Sequence, residues 1–254
     1  MRFFETLLVA ISTYSAIPVP QFEWNDRNTG YPLCFFPVVG LLCGGAMLAF
    51  NALCNYIKAS ELFFAAVATC IPLLITGGIH LDGYMDTVDA IASHQTQERM
   101  LEIMKDSHCG AFAVIYCVIY LILDFALFSQ VYLQRLVPFF CFMFVLSRVL
   151  SALCAINLPN ARGNGMLAAF TKSKQRGRSN LILVVILLLV CGSMVAYKGW
   201  LSLCVLAVAI IWTVIYRGLA IRRFGGVTGD TSGFFLQICE ILCLLFTWIG
   251  GLVL

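Results

Sequence analysis

Charge is what this 254-residue sequence has least of: 11% of it is Asp, Glu, Lys or Arg, against 61% hydrophobic residues. So little charge excludes a water-soluble domain of this length and indicates an all-α polytopic integral membrane protein. Histidine is scarce, and His80, His94 and His108 show no ligand spacing; loop or hydrogen-bonding roles suit them better than metal. The twelve cysteines are scattered with no C-x-x-C, so neither a zinc site nor a disulfide framework is expected. Those in apolar stretches (Cys34, Cys70, Cys117, Cys141, Cys191) read as small hydrophobes. No Ser–His or Cys–His pair stands at usable spacing, which weighs against a covalent nucleophile. Met1 to Pro20 lacks a basic n-region and an A-x-A site, so no cleavable signal is expected.

What charge there is clusters. Six of the thirteen acidic residues fall in Thr76–Ala111, TGGIHLDGYMDTVDAIASHQTQERMLEIMKDSHCGA. Asp82, Asp86 and Asp89 are spaced i, i+4, i+7, which places them within roughly 60° of one helical face. Such a stripe can be a solvated surface. This one, however, follows directly on a hydrophobic segment and Gly77-Gly78, at the mouth of a membrane span, with no cation among the aspartates. A divalent cation relieves that repulsion, and hard oxygen donors suit Mg²⁺ or Mn²⁺ rather than Zn²⁺. Mg²⁺ is usually held by one or two carboxylates together with substrate phosphates, which points to phosphoryl or nucleotidyl chemistry.

Residues 3–17 form an apolar but interrupted stretch that ends in Ile17-Pro18-Val19-Pro20, as an interfacial or partly inserted helix would. After a polar linker through Tyr31, seven apolar segments are marked at 33–54, 62–79, 111–128, 136–156, 181–197, 200–216 and 234–254. A single membrane-embedded domain covering 1–254 is expected. Counted on alternate sides of the spans, Lys and Arg number twelve on one side and three on the other (Lys58, Arg135, Lys198), with Arg148 inside the fourth. By the positive-inside rule the richer side is cytoplasmic, and it carries the Asp82–Asp106, 157–180 and 217–233 loops together.

The 157–180 loop could attract anionic substrate or lipid headgroups, although its positive charges serve equally as topology signals. Between Arg222 and Gly233 the glycine-rich RRFGGVTGDTSG reads as a turn before the last span, able to offer backbone N–H groups and the hydroxyls of Thr228, Thr231 and Ser232 to phosphate. Asp124, Arg148 and Glu240 lie within spans, where each costs ~2.5–3.5 kcal/mol at a helix centre. Arg148 is expected either to bind a substrate anion or to pair with Asp124. Glu240 is expected to reach towards the cytoplasmic site.

Several of these segments carry a resemblance. IPVP at Ile17–Pro20, GGIHLDGYMDTVDA, RMLEIMKDSHCG, the Arg148 segment, ARGNG at Ala161–Gly165 and GGVTGDTSG at Gly225–Gly233 together resemble the cobalamin synthase (adenosylcobinamide-GDP ribazoletransferase) family of bacterial and archaeal membrane enzymes. The chain departs from the family pattern at Ala90, Lys105 and Ala111, and Lys105 replaces an arginine that could bind phosphate bidentately.

The resemblance implies Mg²⁺-dependent transfer in which a hydroxyl of α-ribazole or its 5′-phosphate attacks the cobinamide-linked phosphorus of adenosylcobinamide-GDP and releases GMP. On this reading Asp82, Asp86 and Asp89 hold the metal, and either Asp89 or Asp106 accepts the proton. Lys105, Arg148, Arg162, Gly229, Asp230 and Thr231 bind substrate. The expected setting is the bacterial or archaeal cytoplasmic membrane, with lipid as surroundings and no nucleic-acid partner. A homo-oligomer and association with other cobalamin-assembly enzymes both remain open. Two other readings are weighed. A CDP-alcohol phosphotransferase-like enzyme would share the metal stripe, but the chain lacks a D-G-x-x-A-R run. A cation-coupled transporter would place acidic residues on its pathway, but no hydropathy repeat is evident.

Overall fold

A computed structural model of the chain describes residues 2–20, 32–106, 108–163 and 176–253. Within them run ten helices: α1 (Arg2–Tyr14), α2 (Pro32–Ile57), α3 (Glu61–Thr76), α4 (Ile79–Ala92), α5 (Gln97–Ile103), α6 (Ala111–Leu133), α7 (Val137–Asn157), α8 (Arg176–Lys198), α9 (Trp200–Phe224) and α10 (Gly229–Gly251). No strand occurs among the described residues, only a bridge between Asn160 and Val227. The expected loop charges Arg27, Lys172 and Lys174, the linker at 21–31 and the Asn164–Gly165 end of the ARGNG motif lie outside the described residues.

Six helices, α2, α6, α7, α8, α9 and α10, are long and apolar enough to cross a membrane. At 16 residues α3 extends only ~24 Å, short of a ~30 Å hydrocarbon core. With it the described residues hold six to seven candidate spans, and α1 is a shorter apolar helix near the N-terminus. The helix α7 is the hub, 89% buried along its apolar window, whereas only 17% of the corresponding window in α8 is buried. Gly40 and Gly44 of α2 let that helix close on α7, since a Cβ at Gly44 would lie 3.0 Å from the Cys141 carbonyl oxygen.

Two departures from the hydropathy expectation matter for the site. The second segment does not run straight through 79: after Thr76 the chain bends by 93° into α4. Gly77 (φ +65°) and Gly78 (φ +77°) make the bend in left-handed backbone that a side chain would resist. The Ala16 N–H tied to the Ile75 carbonyl at 2.8 Å fixes the tail of α1 beside it. The near-right-angle turn points α4 away from the axis of α3 and packs it against α10 and α6. The second departure is the last span, which begins at Gly229 rather than 234, so most of the expected glycine-rich turn is helix. Thr228 is its N-cap and exchanges hydrogen bonds with Thr231 in a capping box.

The alternation of spans brings the ends of α3, α7 and α9 to the same face as the starts of α2, α6, α8 and α10. Lys58, Arg135 and Lys198 occupy the turns at the opposite face, where Lys58 and Arg135 take positive φ of 54° and 57°.

Candidate active site

The site is built where α4 crosses the first turn of α10. A Cβ at Gly83 would sit 2.8 Å from the Asp230 Cα, and one at Gly233 would sit 2.7 Å from the His80 carbonyl oxygen. Two glycines facing each other thus allow the helices to touch backbone to backbone, and Asp82 and Asp86 are carried up to Asp230. The 159–162 segment completes the arrangement. Val227 donates its N–H to the Pro159 carbonyl at 2.8 Å, and Ala161 donates to the Val227 carbonyl at 3.1 Å. Gly226, at φ +156°, leaves room for the Pro159 carbonyl where a Cβ would collide. This short pairing delivers Arg162, whose Nη2 donates to Asp230 Oδ2 at 2.7 Å and to the Met104 carbonyl at 3.3 Å.

Electrostatically the centre is Asp86. Burial first, and then the charges of Asp82 and Asp230, push its carboxyl from 3.8 to about 6, with Arg162 pulling the other way and Asp89 adding to the rise. One guanidinium among four carboxylates leaves net negative charge at the junction. That favours a cation or a cation-bound phosphate. The stripe is not a ready-made cage, however: among the described residues no three His, Cys, Asp or Glu side chains are grouped as a metal-ligand set. Asp82 and Asp89 are separated by ~10.5 Å of helical rise. The Asp89 carboxylate lies against Gly110, the N-cap of α6, a helix whose cap residue offers no side-chain acceptor. The donor set would suit a hard cation held by one or two of these carboxylates.

The other expected residues fall into two groups. Gly229 and Asp230 are the first two residues of α10, where backbone N–H groups lack intrahelical acceptors. Lys105 is exposed just beyond α5, beside the Met104 carbonyl that Arg162 grips. Asp106 is exposed in the loop before α6 and accepts from the His108 N–H at 3.0 Å; that bond and the adjacent imidazole hold its carboxyl below the usual range. It is not among the charges that act on Asp86.

Two expectations are corrected. Thr231 is fully buried, its Oγ1 accepting from the Thr228 N–H at 2.9 Å, so the hydroxyl caps α10 instead of facing substrate. Arg148 is 1% exposed and its Nη1 donates to Glu240 Oε1 at 2.5 Å, so it pairs with Glu240 and not with Asp124 or a substrate anion. Glu240 is correspondingly turned into the bundle, where it also accepts from Ser147 Oγ at 2.7 Å. Asp124 is buried on α6, its electrostatic neighbours being Thr69 and Glu240.

Sequence reasoning passed over one feature of the junction. Tyr14, Phe36, His80 and Ser151 help to wall a cavity of about 150 Å³ that shares Asp82 and Asp230 with the carboxylate cluster. His80 is 7% exposed, and burial followed by the charge of Arg148 lowers its imidazole to about 3. Its Nε2 has no hydrogen-bond partner among the described residues. Position i−2 from the first aspartate was its only signal in the sequence.

The family model described as Cobalamin-5-phosphate synthase matches residues 6–248. A protein of Lachnoclostridium phytofermentans named Adenosylcobinamide-GDP ribazoletransferase is 38% identical over 242 residues, 95% of this chain and 92% of that protein. Proteins of the same name from Clostridium botulinum (strain Alaska E43) and Desulfitobacterium hafniense are each 34% identical, over 95% and 94% of this chain and 96% and 94% of their own lengths. No solved structure matches.

Proposed function

The chain belongs to the cobalamin-5-phosphate synthase family, and on that premise we propose that it is an adenosylcobinamide-GDP ribazoletransferase. The acceptor is α-ribazole or its 5′-phosphate. An acceptor hydroxyl oxygen forms a bond to the cobinamide-linked phosphorus, the bond from that phosphorus to the GMP oxygen breaks, and GMP leaves. The hydroxyl proton passes to a carboxylate. Asp89 suits that role better than Asp106, because it shares a helical face with Asp82 and Asp86 whereas Asp106 sits in the exposed loop with His108.

The observation that carries this reading is the meeting of the α4 aspartates with Asp230 and Arg162 at the start of α10. A diphosphate needs both cationic and hydrogen-bonding partners there. Arg162 presents a fork suited to phosphate oxygens, and the first turn of α10 presents N–H groups at the positive end of its dipole. Mg²⁺ held by Asp82 and Asp86 would neutralise charge on the diphosphate and on the departing GMP. The face that holds the site is proposed to be the cytoplasmic one, in the bacterial or archaeal cytoplasmic membrane, on the uneven distribution of Lys and Arg.

Incubating the purified protein in lipid with adenosylcobinamide-GDP and α-ribazole is expected to release GMP only when a divalent cation is present. CDP-diacylglycerol with an alcohol acceptor serves as the competing assay, and CMP release without GMP would contradict the proposal. For sidedness, cysteines introduced at Lys105 or Gly163 in a cysteine-free background should resist a membrane-impermeant thiol reagent applied to intact cells, and one at Lys198 should react. The reverse pattern would invert the topology.

A further inference from the structure

We infer that the cavity walled by Tyr14, Phe36, His80 and Ser151 seats the heteroaromatic base of the acceptor nucleoside, so that the acceptor's ribose emerges beside Asp82 and Asp230. The inference rests on the ribazoletransferase reading and adds to it a place for one of the two substrates.

Size comes first. A cavity of about 150 Å³ is one that, when apolar-walled, accepts a single benzene ring. A fused benzimidazole can fill such a space and leave its sugar outside, whereas a corrinoid cannot enter. Shape and chemistry follow. Tyr14 and Phe36 lie with ring centroids 4.4 Å apart, and Phe36 meets the His80 ring edge-on at 5.4 Å, so one wall is a run of aromatic surfaces suited to a flat ring. Leu33 and Leu236 add apolar lining.

Polar side chains make up about half of the wall, and two of its hydroxyls are spent on their own helices. Thr13 Oγ1 donates to the Val9 carbonyl at 2.7 Å, and Ser232 Oγ donates to the Thr228 carbonyl at 2.8 Å. A benzimidazole riboside has one free ring nitrogen. His80, with Nε2 buried and unpartnered, is a wall residue still short of a hydrogen bond. Position completes the case: Asp82 and Asp230 belong both to the cavity and to the carboxylate cluster, so a base held inside brings its ribose hydroxyls to the phosphorus from this side.

The test uses the full-length protein in lipid nanodiscs with two acceptors, the α-ribosides of benzimidazole and of 5,6-dimethylbenzimidazole. Ser151→Leu reduces the cavity. It is expected to shift the kcat/KM ratio towards the smaller riboside by about tenfold or more, the scale set by one or two methyl groups in an apolar pocket. The KM for adenosylcobinamide-GDP should stay within about twofold on the same reasoning. His80→Ala is expected to raise the KM for the riboside, and His80→Gln to recover part of the loss. The ratio does not depend on how much of a variant is folded, so an unchanged ratio overturns the assignment. A rise in the KM of the guanosine-bearing donor with the acceptor unaffected also overturns it, and gives the cavity to guanine. Absence of GMP release by the unmodified protein with either riboside would remove the ribazoletransferase reading itself.

Discussion

Two arginine–carboxylate pairs in this protein have nearly the same geometry and opposite surroundings. Arg162 meets Asp230 at 2.7 Å with side chains 22% and 24% exposed, and Arg148 meets Glu240 at 2.5 Å with side chains 2% and 9% exposed. The first pair joins a short irregular segment to the start of a helix, beside three further carboxylates. The second joins the middle of α7 to α10 and is completed by the Phe144 carbonyl and the Ser147 hydroxyl. A half-buried pair that water still reaches gains less from its own attraction and can be opened by a better partner, such as a phosphate. A buried pair cannot open without leaving a bare charge in the membrane. Location, not pairing, separates a residue that can serve substrate from one that holds helices together.

The largest expected effect breaks the second pair. Glu240→Ala or Arg148→Ala should destabilise the bundle by ~3–5 kcal/mol, read as a fall in melting temperature in detergent. The double replacement Arg148→Met with Glu240→Leu should recover most of it. A double-mutant cycle between Arg148 and Glu240 is expected to show strong coupling, and one between Arg148 and Asp124 little.

Next come the carboxylates of the open site. Asp82→Asn or Asp86→Asn should cut turnover by ~10²–10³-fold, the scale of losing one preorganised electrostatic partner. Melting temperature in the absence of metal should hold or rise, because removing one of several mutually repelling charges relieves the fold. A comparable fall in stability would show that the stripe, like Arg148–Glu240, is structural.

These two predictions also mark what the sequence made legible. Hydropathy located the spans, and charge asymmetry placed the acidic and basic loops on one face, because both depend on composition over many residues. Which in-span charges pair was not legible: Asp124, Arg148 and Glu240 lie on three different helices, and only packing turns Arg148 towards Glu240. The start of α10 was missed because Gly229–Gly233 has little hydropathy, yet the Thr228–Thr231 capping box makes it helical. The crossing of α4 over α10 depends on Gly83 and Gly233 meeting across 150 residues of chain. The aspartate stripe was legible, since helical periodicity is local; its meeting with Asp230 and Arg162 was not.

A smaller effect concerns pH. Burial and neighbouring carboxylates lift Asp86 from 3.8 to about 6, so the folded protein holds this proton more tightly than the unfolded chain does. Asp86 therefore contributes stability that is complete below pH 3.8 and is lost as the pH rises to about 6. In metal-free buffer its contribution to the melting temperature should fall across that window. Asp86→Asn should flatten the slope, and a divalent cation should restore stability above pH 6 by binding the ionised form.

Smallest is the cap that positions the open pair. Thr228→Ala should cost ~1 kcal/mol in stability. By loosening Asp230 it should also raise the KM for the GDP-bearing donor, whereas Thr228→Ser should restore both.

The central claim is that the junction of α4 with α10 binds a divalent cation together with the donor's diphosphate. Electron paramagnetic resonance of Mn²⁺, titrated into the protein in nanodiscs with adenosylcobinamide-GDP present, measures this directly. The unmodified protein should bind Mn²⁺, and Asp82→Asn and Asp86→Asn should weaken binding by more than the ~10–100-fold typical of losing an outer-shell partner. Equal Mn²⁺ affinity in all three proteins would contradict the claim.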